Sequence, residues 1–333
     1  MKNTRLVDLA RVSGLSTATV SRALRGMSNV RPETTELIKK AAEELGYEGN
    51  DIARSLRTQK TSNLAIIVPS IVNPFFLMLI NEVESYVTSQ GYNLFLCDSR
   101  NDPKNEEVKI RELLRSNVSG ILISPSNSEA NIDLIVNLSA RKRLVQLDRQ
   151  VNQNGLAWVG FDDTHAMHEI VAHLADRNVK TAAFVTSSTG SSSAWKRQAA
   201  VLFAAKKYKM EIPKDLIFDG DFSFQWGVDS AEKIAKLPAL PDAIICSADI
   251  IAIGLMSTLL NLGVKIPNDV LVTGLDDIYL NNYFTPSLTT VRQPLSEIAR
   301  IAVDNLLNPE SVDKTEEIAL PGQLIVRESS VRS

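Results

Sequence analysis

Residues 15–24 read LSTATVSRAL, and five of those ten side chains are polar: Ser16, Thr17, Thr19, Ser21 and Arg22. Four are short hydroxyls, each able to donate one hydrogen bond and accept others, and the fifth is a planar cationic fork. Such a set suits a surface of phosphate oxygens and base edges. Hydroxyls reach phosphates, and a guanidinium matches the O6 and N7 acceptors of guanine. A helix held on a protein surface by packing alone usually turns long Glu and Lys side chains to water. This one keeps its polar face low, so its backbone can approach a flat or grooved partner, and the major groove of a DNA duplex admits a helix. An ordinary capped helix on a bundle is the plainer reading of the stretch taken alone.

Other residues raise other chemistry. His165, His168 and His173 fall in DDTHAMHEIVAHL, with His165 and His168 three apart and Asp162 nearby. Two histidines and a carboxylate on one helix face could start a metal site, but neither a Cys nor the third His joins them on that face, and a solvated helix explains them. The pairs Asp162–Asp163 and Asp276–Asp277 follow apolar runs, where carboxylates serve binding as readily as catalysis. The sequence has no phosphate-cradling P-loop, no G-x-G-x-x-G and no G-x-S-x-G elbow, so an enzyme is not expected. Cys97 and Cys246 each lie inside an apolar run, and the expectation is two buried free thiols in a reducing cytosol. No cofactor is called for.

The elements that must position these residues fall into two patterns. In residues 1–31 six basic side chains face one acid, and extending to residue 60 gives eleven basic and seven acidic; the rest carries 25 basic and 32 acidic. A basic head on an acidic body is the footprint of a polyanion-binding module fused to something else. The head reads as short helices. Thr4 would cap a first helix that places Leu6, Leu9, Ala10 and Val12 near one face, and Gly14 makes the turn. Ser16 caps a second helix over 17–25, with Ala18 to Val20 and Ala23–Leu24 on its apolar side. Pro32 opens a third helix that buries Leu37, Ile38, Ala41 and Leu45 and stops at Gly46. This is a helix-turn-helix unit braced by a third helix.

From residue 62 apolar runs alternate with helical stretches: NLAIIVP, NLFLCD, GILISP, RLVQLD, LAWVGF, TAAFVTS, LIFDG, AIICSAD and VLVTGLD. Strands apolar on both faces imply parallel sheets covered by helices on each side. There are too many strands for one modest sheet, so two doubly wound α/β subdomains are expected, with a ligand between them at the carboxyl ends of the strands. A polar linker, GNDIARSLRTQKTS, joins head and body and holds one short helix. No 18-residue apolar run exists to span a membrane, the start MKNTRLVDLARVSG lacks a secretory h-region, and VRESSVRS carries no apolar heptad that would support a tetramer.

LVDLARVSGLSTATVSRALRG followed by VRPETTELIKKAAEELGYEGNDIARSL resembles the head of the lac repressor (LacI/GalR) family of bacterial transcription regulators. VPSIVNPFF, LDR, VGFDD, VTGLDD and PSLTTVRQP fall in that family's order and spacing, so the resemblance spans essentially the whole chain. It implies an all-α helix-turn-helix head over 1–48 and a hinge helix and linker over 49–61. It further implies a core over 62–333 built like the periplasmic sugar-binding proteins. Subdomain 1 would take about 62–160 and 291–320, and subdomain 2 about 161–290 and 321–333. The expected assembly is a cytoplasmic homodimer on palindromic double-stranded DNA, nucleoid-associated when bound. Its effector would be a small molecule, a sugar or sugar derivative. A purine corepressor or a phosphorylated carrier protein is the alternative, and a solute-binding protein without DNA function is the rival from another class.

The resemblance also distributes roles. Thr17, Ala18 and Arg22 match positions that touch bases. Ala18 offers only apolar contact, for instance with a thymine methyl, and Arg22 is the expected guanine reader. Ser16, Thr19, Ser21 and Asn29 match phosphate contacts, although Thr19 could simply cap or pack. In the hinge, 50–57, an eight-residue helix is marginal alone and needs its dimer mate and DNA. Leu56 matches the family's minor-groove wedge, unless it packs on the core, and Arg54, Arg57 and Lys60 would meet phosphates. Thr4, Asn50 and Ala53 complete the DNA set. The expected effector set is Ser70, Phe75, Phe76, Asp148, Arg149, Arg197, Phe222 or Trp226, Asp249 and Asp276. Arg197 matches the family's effector-gripping Arg and Asp276 its hydroxyl-binding carboxylate, while Phe75 and Phe76 could be plain core. Ala248 stands where many members have Asn, which removes a hydrogen-bonding side chain. Trp195 is unusually large for its place.

Overall fold

The structure is a computed structural model and describes residues 6–24, 30–47, 61–187, 190–308 and 317–332. Thr4, Asn29, Asn50, Ala53, Leu56 and Arg57, with Arg54 and Lys60, lie outside the described residues. The chain divides into two compact units, Met1–Thr61 and Ser62–Ser333.

In the first unit, helices α1 (Leu6–Ser13), α2 (Thr17–Ala23) and α3 (Pro32–Glu44) bury Leu9, Ala10, Val20, Ala23, Ile38 and Ala41 together. Gly14 takes φ 68°, a left-handed turn that glycine adopts without steric cost. The Ser16 hydroxyl accepts from the Thr19 amide at 3.1 Å, so α2 starts where a cap stood in the sequence. Two expected core residues face water: Val12 is 61% exposed and Leu37 53%. At about 100° per residue, each lies roughly a quarter turn from the centre of its helix's buried face. Ala18 is also exposed, and α2 stops at Ala23, short of Arg25.

The second unit holds two parallel sheets. One has six strands in the order β11-β5-β4-β3-β1-β2: β1 (Asn63–Val68), β2 (Asn93–Asp98), β3 (Gly120–Ile123), β4 (Arg143–Leu147), β5 (Trp158–Phe161) and β11 (Glu317–Leu320). The other has four, β7-β6-β8-β9: β6 (Ala182–Ser187), β7 (Ile217–Gly220), β8 (Ala243–Cys246) and β9 (Leu271–Thr273). A small antiparallel pair joins β10 (Thr290–Arg292) to β12 (Gln323–Ile325). The helices are α4 (Pro74–Ser89), α5 (Pro103–Arg115), α6 (Ile132–Arg141), α7 (Asp163–Ala175), α8 (Ser192–Tyr208), α9 (Phe224–Ile234), α10 (Asp249–Asn261) and α11 (Leu295–Leu307).

Alternate residues of β1 explain the layering. Leu64, Ile66 and Val68 pack under α4 and α11, while Ala65 and Ile67 pack on the other face against Ile110 of α5 and Ile135 and Leu138 of α6. The second sheet does the same: Ala183 and Val185 face α9 and α10, and Ala182 and Phe184 face α7 and α8. Both faces are therefore dry, which parallel strands require. Strand β2 departs from that expectation. It is an edge strand with Phe95 and Leu96 exposed, and its Cys97 is half-buried where a buried thiol was expected. Cys246 is buried, and burial raises its pKa well above the ordinary thiol value.

Candidate nucleic-acid interface and ligand cleft

On α2, Ser16, Thr17 and Ala18 are exposed side by side, with Thr19, Ser21 and Arg22 half-buried behind them. The Ser16 hydroxyl is already engaged, with the Thr19 amide and with Thr19 Oγ1 at 2.9 Å, so Ser16 caps the helix and the Thr19 side chain bonds that cap. Arg22 Nε donates to the Ala18 carbonyl at 3.2 Å, which draws the guanidinium back along its own helix. Thr17, Ala18 and Arg22 thus share one surface with short side chains around the cation.

In the core, the carboxyl ends of the strands bring charges together. Strand β4 ends at Leu147, and Asp148 then takes φ 58°; beyond β9, Asp276 takes φ 122° and Asp277 φ 52°. Non-glycine residues pay for such backbone, and the cost persists where the surroundings fix it. Between these strand ends lies a chamber lined by Asn73, Phe75, Phe76, Asp148, Arg149, Ser193, Arg197, Phe222, Ala248 and Asp276. Its free volume is only about 10 Å³, room for one water. A hollow of about 790 Å³ adjoins it through the shared Asp276 and is lined also by Met78, Asn81, Glu82, Tyr279, Arg292 and Arg300.

The chamber is electrostatically tense. Arg197, from the first turns of α8, donates Nε to Asp163 at 2.7 Å and NH1 to the Ser247 carbonyl at 2.7 Å, with Asp276 4.0 Å away. Burial alone would lower its pKa, but Asp163, Asp276 and Asp148 together hold it above the ordinary value. Arg149 is less well served. Burial lowers its pKa to about 10 despite Asp148. Its NH1 donates to Asn101 at 3.0 Å, but Nε stands 3.8 Å from Asp148 and has no hydrogen-bond acceptor among the described residues. The guanidiniums lie over the Phe222 ring, at 5.3 Å for Arg149 and 6.0 Å for Arg197, and Arg149 also over Phe76 at 5.5 Å. Burial pushes the Asp276 carboxyl well above the carboxylate range, with Arg197 opposing and Gln293 donating to it at 2.8 Å. Outside the chamber's lining, Thr186 Oγ1 at the end of β6 and Ser247 Oγ just past β8 are also buried with no hydrogen-bond partner among the described residues. A buried donor such as Arg149 Nε, without an acceptor among the described residues and beside two aromatic faces, is what a polyhydroxylated ligand would satisfy.

Three expected residues are placed elsewhere. Asp249 accepts from Thr290, Asn281 and the Ile278 amide at 2.7, 2.6 and 3.0 Å; burial raises its pKa to about 6, and it braces the segment after β9. Ser70 Oγ accepts from the Val72 and Asn73 amides. Trp226 donates its indole N–H to the Thr186 carbonyl at 2.9 Å and lies under Lys233, leaving Phe222 as the chamber's aromatic from that loop. Sequence reasoning missed Asn73, whose Oδ1 accepts from the Phe75 amide, and Ser193; the only signal for Asn73 was its place as a cap before Pro74. Two of the histidines have structural contacts, His168 Nε2 meeting Lys207 at 2.8 Å and Tyr208 at 3.2 Å and His173 pairing with Ser330, while His165 is exposed. No set of three or more His, Cys, Asp or Glu side chains among the described residues is arranged to hold a metal, and no described helix is long and apolar enough to cross a membrane.

A helix-turn-helix head and, in the same chain, a two-sheet core with a charged interior cleft define a ligand-responsive DNA-binding regulator as the class of protein. Residues 5–50 match the family described as bacterial regulatory proteins, lacI family, and residues 171–330 match the periplasmic binding protein-like domain. Catabolite control protein A of Staphylococcus xylosus is 31% identical over 97% of this chain and 98% of its own. The HTH-type transcriptional repressor PurR of Haemophilus influenzae (strain PittEE) is 28% identical over 97% of each. The crystal structure of the lac repressor dimer bound to operator and the anti-inducer ONPF shares the fold, with a TM-score of 0.89 at 22% identity over 99% of this chain and 100% of that one. The chain belongs to the lacI family of bacterial regulatory proteins.

Proposed function

We propose that this protein is a cytoplasmic repressor of transcription that binds a palindromic operator as a homodimer and sets its grip by a small polyhydroxylated effector held in the core cleft. The observation that carries the effector reading is the buried quartet Asp148, Arg149, Arg197 and Asp276 beside the Phe76 and Phe222 rings, with Arg149 Nε left without an acceptor. Carboxylates accept from ring hydroxyls, guanidiniums donate to hydroxyl or ring oxygens, and the aromatic faces cover the apolar side of the ring. Known ligand sites run from about 300 to 1,000 Å³. The chamber at about 10 Å³ is far below that range, so binding requires the two sheets to part or the ligand to extend into the 790 Å³ hollow beyond Asp276.

In this reading Thr17, Ala18 and Arg22 read bases, and Ser16, Thr19, Ser21 and Asn29 fix the helix on phosphates. Thr4, Asn50, Ala53, Leu56 and Arg57 complete the contact, with Leu56 as the minor-groove wedge. Domain limits of 1–48, 49–61 and 62–333 follow, and the effector acts through the hinge.

The test is Arg22→Ala, assayed by fluorescence anisotropy on promoter and random duplexes and by thermal shift with a panel of sugars, sugar phosphates and purines. The variant loses its preference for the promoter, while the panel compound that stabilises the wild type stabilises it equally. Retained preference overturns the role of Arg22, and a panel in which no compound raises the melting temperature overturns the effector reading.

A further inference from the structure

Helix α8 has two faces of different character. Its inner face packs Ala194, Ala200, Val201, Ala204 and Ala205 and delivers Arg197 to the cleft. Its outer face carries Trp195, Ala199, Leu202, Phe203 and Lys206. Trp195 is 56% exposed and Phe203 72%, with Leu202 also in water. At helical spacing these residues form one stripe, the two rings about 12 Å apart along the axis with the small Ala199 between them. A helix with one face already in a core has no packing reason to present a second apolar stripe, and paired aromatics around a small residue are typical anchors of protein interfaces.

Charge narrows the occupant. Helix α8 itself contains four Lys or Arg side chains and no Asp or Glu, in a body whose balance is acidic; Arg197 is turned inward, and Lys206 and Lys207 reach water. Lys206, Lys207 and Lys209 are exposed around the last turn of α8. The facing elements add little negative charge: His168 of α7 meets Lys207, and Glu169 beside it lies 3.7 Å from the His168 ring. A second copy of this chain is a poor occupant, because two faces carrying the same Lys206 and Lys207 charges would oppose each other. The stripe is also only a few side chains wide, whereas a standard interface takes about 800 Å² from each partner. A single amphipathic helix fits both the width and the charge.

We propose that the outer face of α8 is a docking surface for an acidic amphipathic helix of another protein, anchored by Trp195 and Phe203 and steered by Lys206 and Lys207. The partner would sit on the back of the helix that presents Arg197 and Ser193 to the cleft.

The test uses the full-length dimer and a fluorescein-labelled 16-residue peptide with Leu and Phe on one helical face and Glu on the other. A scrambled peptide, phosphatidylglycerol vesicles and a single-stranded oligothymidylate serve as competing probes. The designed peptide binds saturably and shifts tryptophan emission to the blue, and the scrambled peptide does not. The Trp195→Ser/Phe203→Ser double variant weakens binding at least tenfold with an unchanged melting temperature. Lys206→Glu/Lys207→Glu, whose changes are at exposed side chains, weakens it similarly and removes its salt dependence. Absence of saturable binding, equal binding of the scramble, indifference to both variants, or preference for vesicles or oligonucleotide each overturns the proposal.

Discussion

On the proposed reading, Arg197 serves fold and site with one side chain. It is buried and spends two nitrogens on Asp163 and the Ser247 carbonyl while facing Asp276. Removing one partner of a buried ion pair strands the other, at a cost of about 3–5 kcal/mol. Arg197→Met therefore lowers the chemical denaturation midpoint and abolishes effector binding together. Arg149→Met likewise loses effector stabilisation, and because it strands the buried Asp148 carboxylate and the Asn101 acceptor it also lowers the denaturation midpoint. His173 gives a pH signature. Burial, with Arg177 adding to it, lowers its pKa to about 4, below the ordinary value of 6.5, so the fold favours the neutral ring. A depressed pKa contributes stability that is full above pH 6.5 and is lost as the pH falls toward 4. The loss is on the order of 2 kcal/mol after allowance for solvent near the ring. Melting temperatures taken between pH 7 and 4 fall more steeply for the wild type than for His173→Gln, and parallel slopes would remove His173 from the account.

At the level of elements, what was legible and what was not have physical reasons. The nine runs quoted from the sequence are β1 to β9 because each is a short apolar stretch; the central ones fill both faces of a sheet, while the edge strands β2 and β7 do so only in part. Strand β11 was not legible: EIAL is four residues long and pairs with β5, more than 150 positions earlier, so no local periodicity marks it. The short β10–β12 pair escaped for the same reason. Among the residues lining the chamber, Asp148 and Arg149 could be read because they directly follow β4, and Asp276 because it stands three residues past β9. Asp249 also follows a strand, but the first turn of α10 aims it at Asn281 and Thr290, a direction no sequence spacing reveals. Trp226 was ambiguous with Phe222 until the cap at Ser223 placed its indole over Gly220. Helices α9 and α10 carry a further reading. Gly227 and Gly254 sit where the two backbones meet, and a methyl on either would run into backbone of the other helix, at Ile251 or Phe224. Gly254→Ala should therefore lower stability by about 2 kcal/mol or more, although Ala is the better helix former, because overpacking outweighs propensity. A gain in melting temperature would contradict that packing.

At the scale of the molecule, a basic head and an acidic core divide the work. The head supplies sequence-independent attraction, so operator affinity falls steeply with salt, by about a thousandfold or more between 50 and 200 mM if six or more phosphates are neutralised. The core supplies control, and an effector can alter DNA affinity only by favouring one of two states, typically by about 5- to 150-fold. The most direct measurement is a fluorescence anisotropy titration of the full-length protein on its own promoter duplex, without and with a saturating compound chosen by thermal shift, for the wild type and Arg149→Met. The predicted result is a promoter affinity that moves at least fivefold with the compound in the wild type and stays fixed in the variant. A wild type that binds the compound yet holds its promoter equally tightly with and without it would contradict the account.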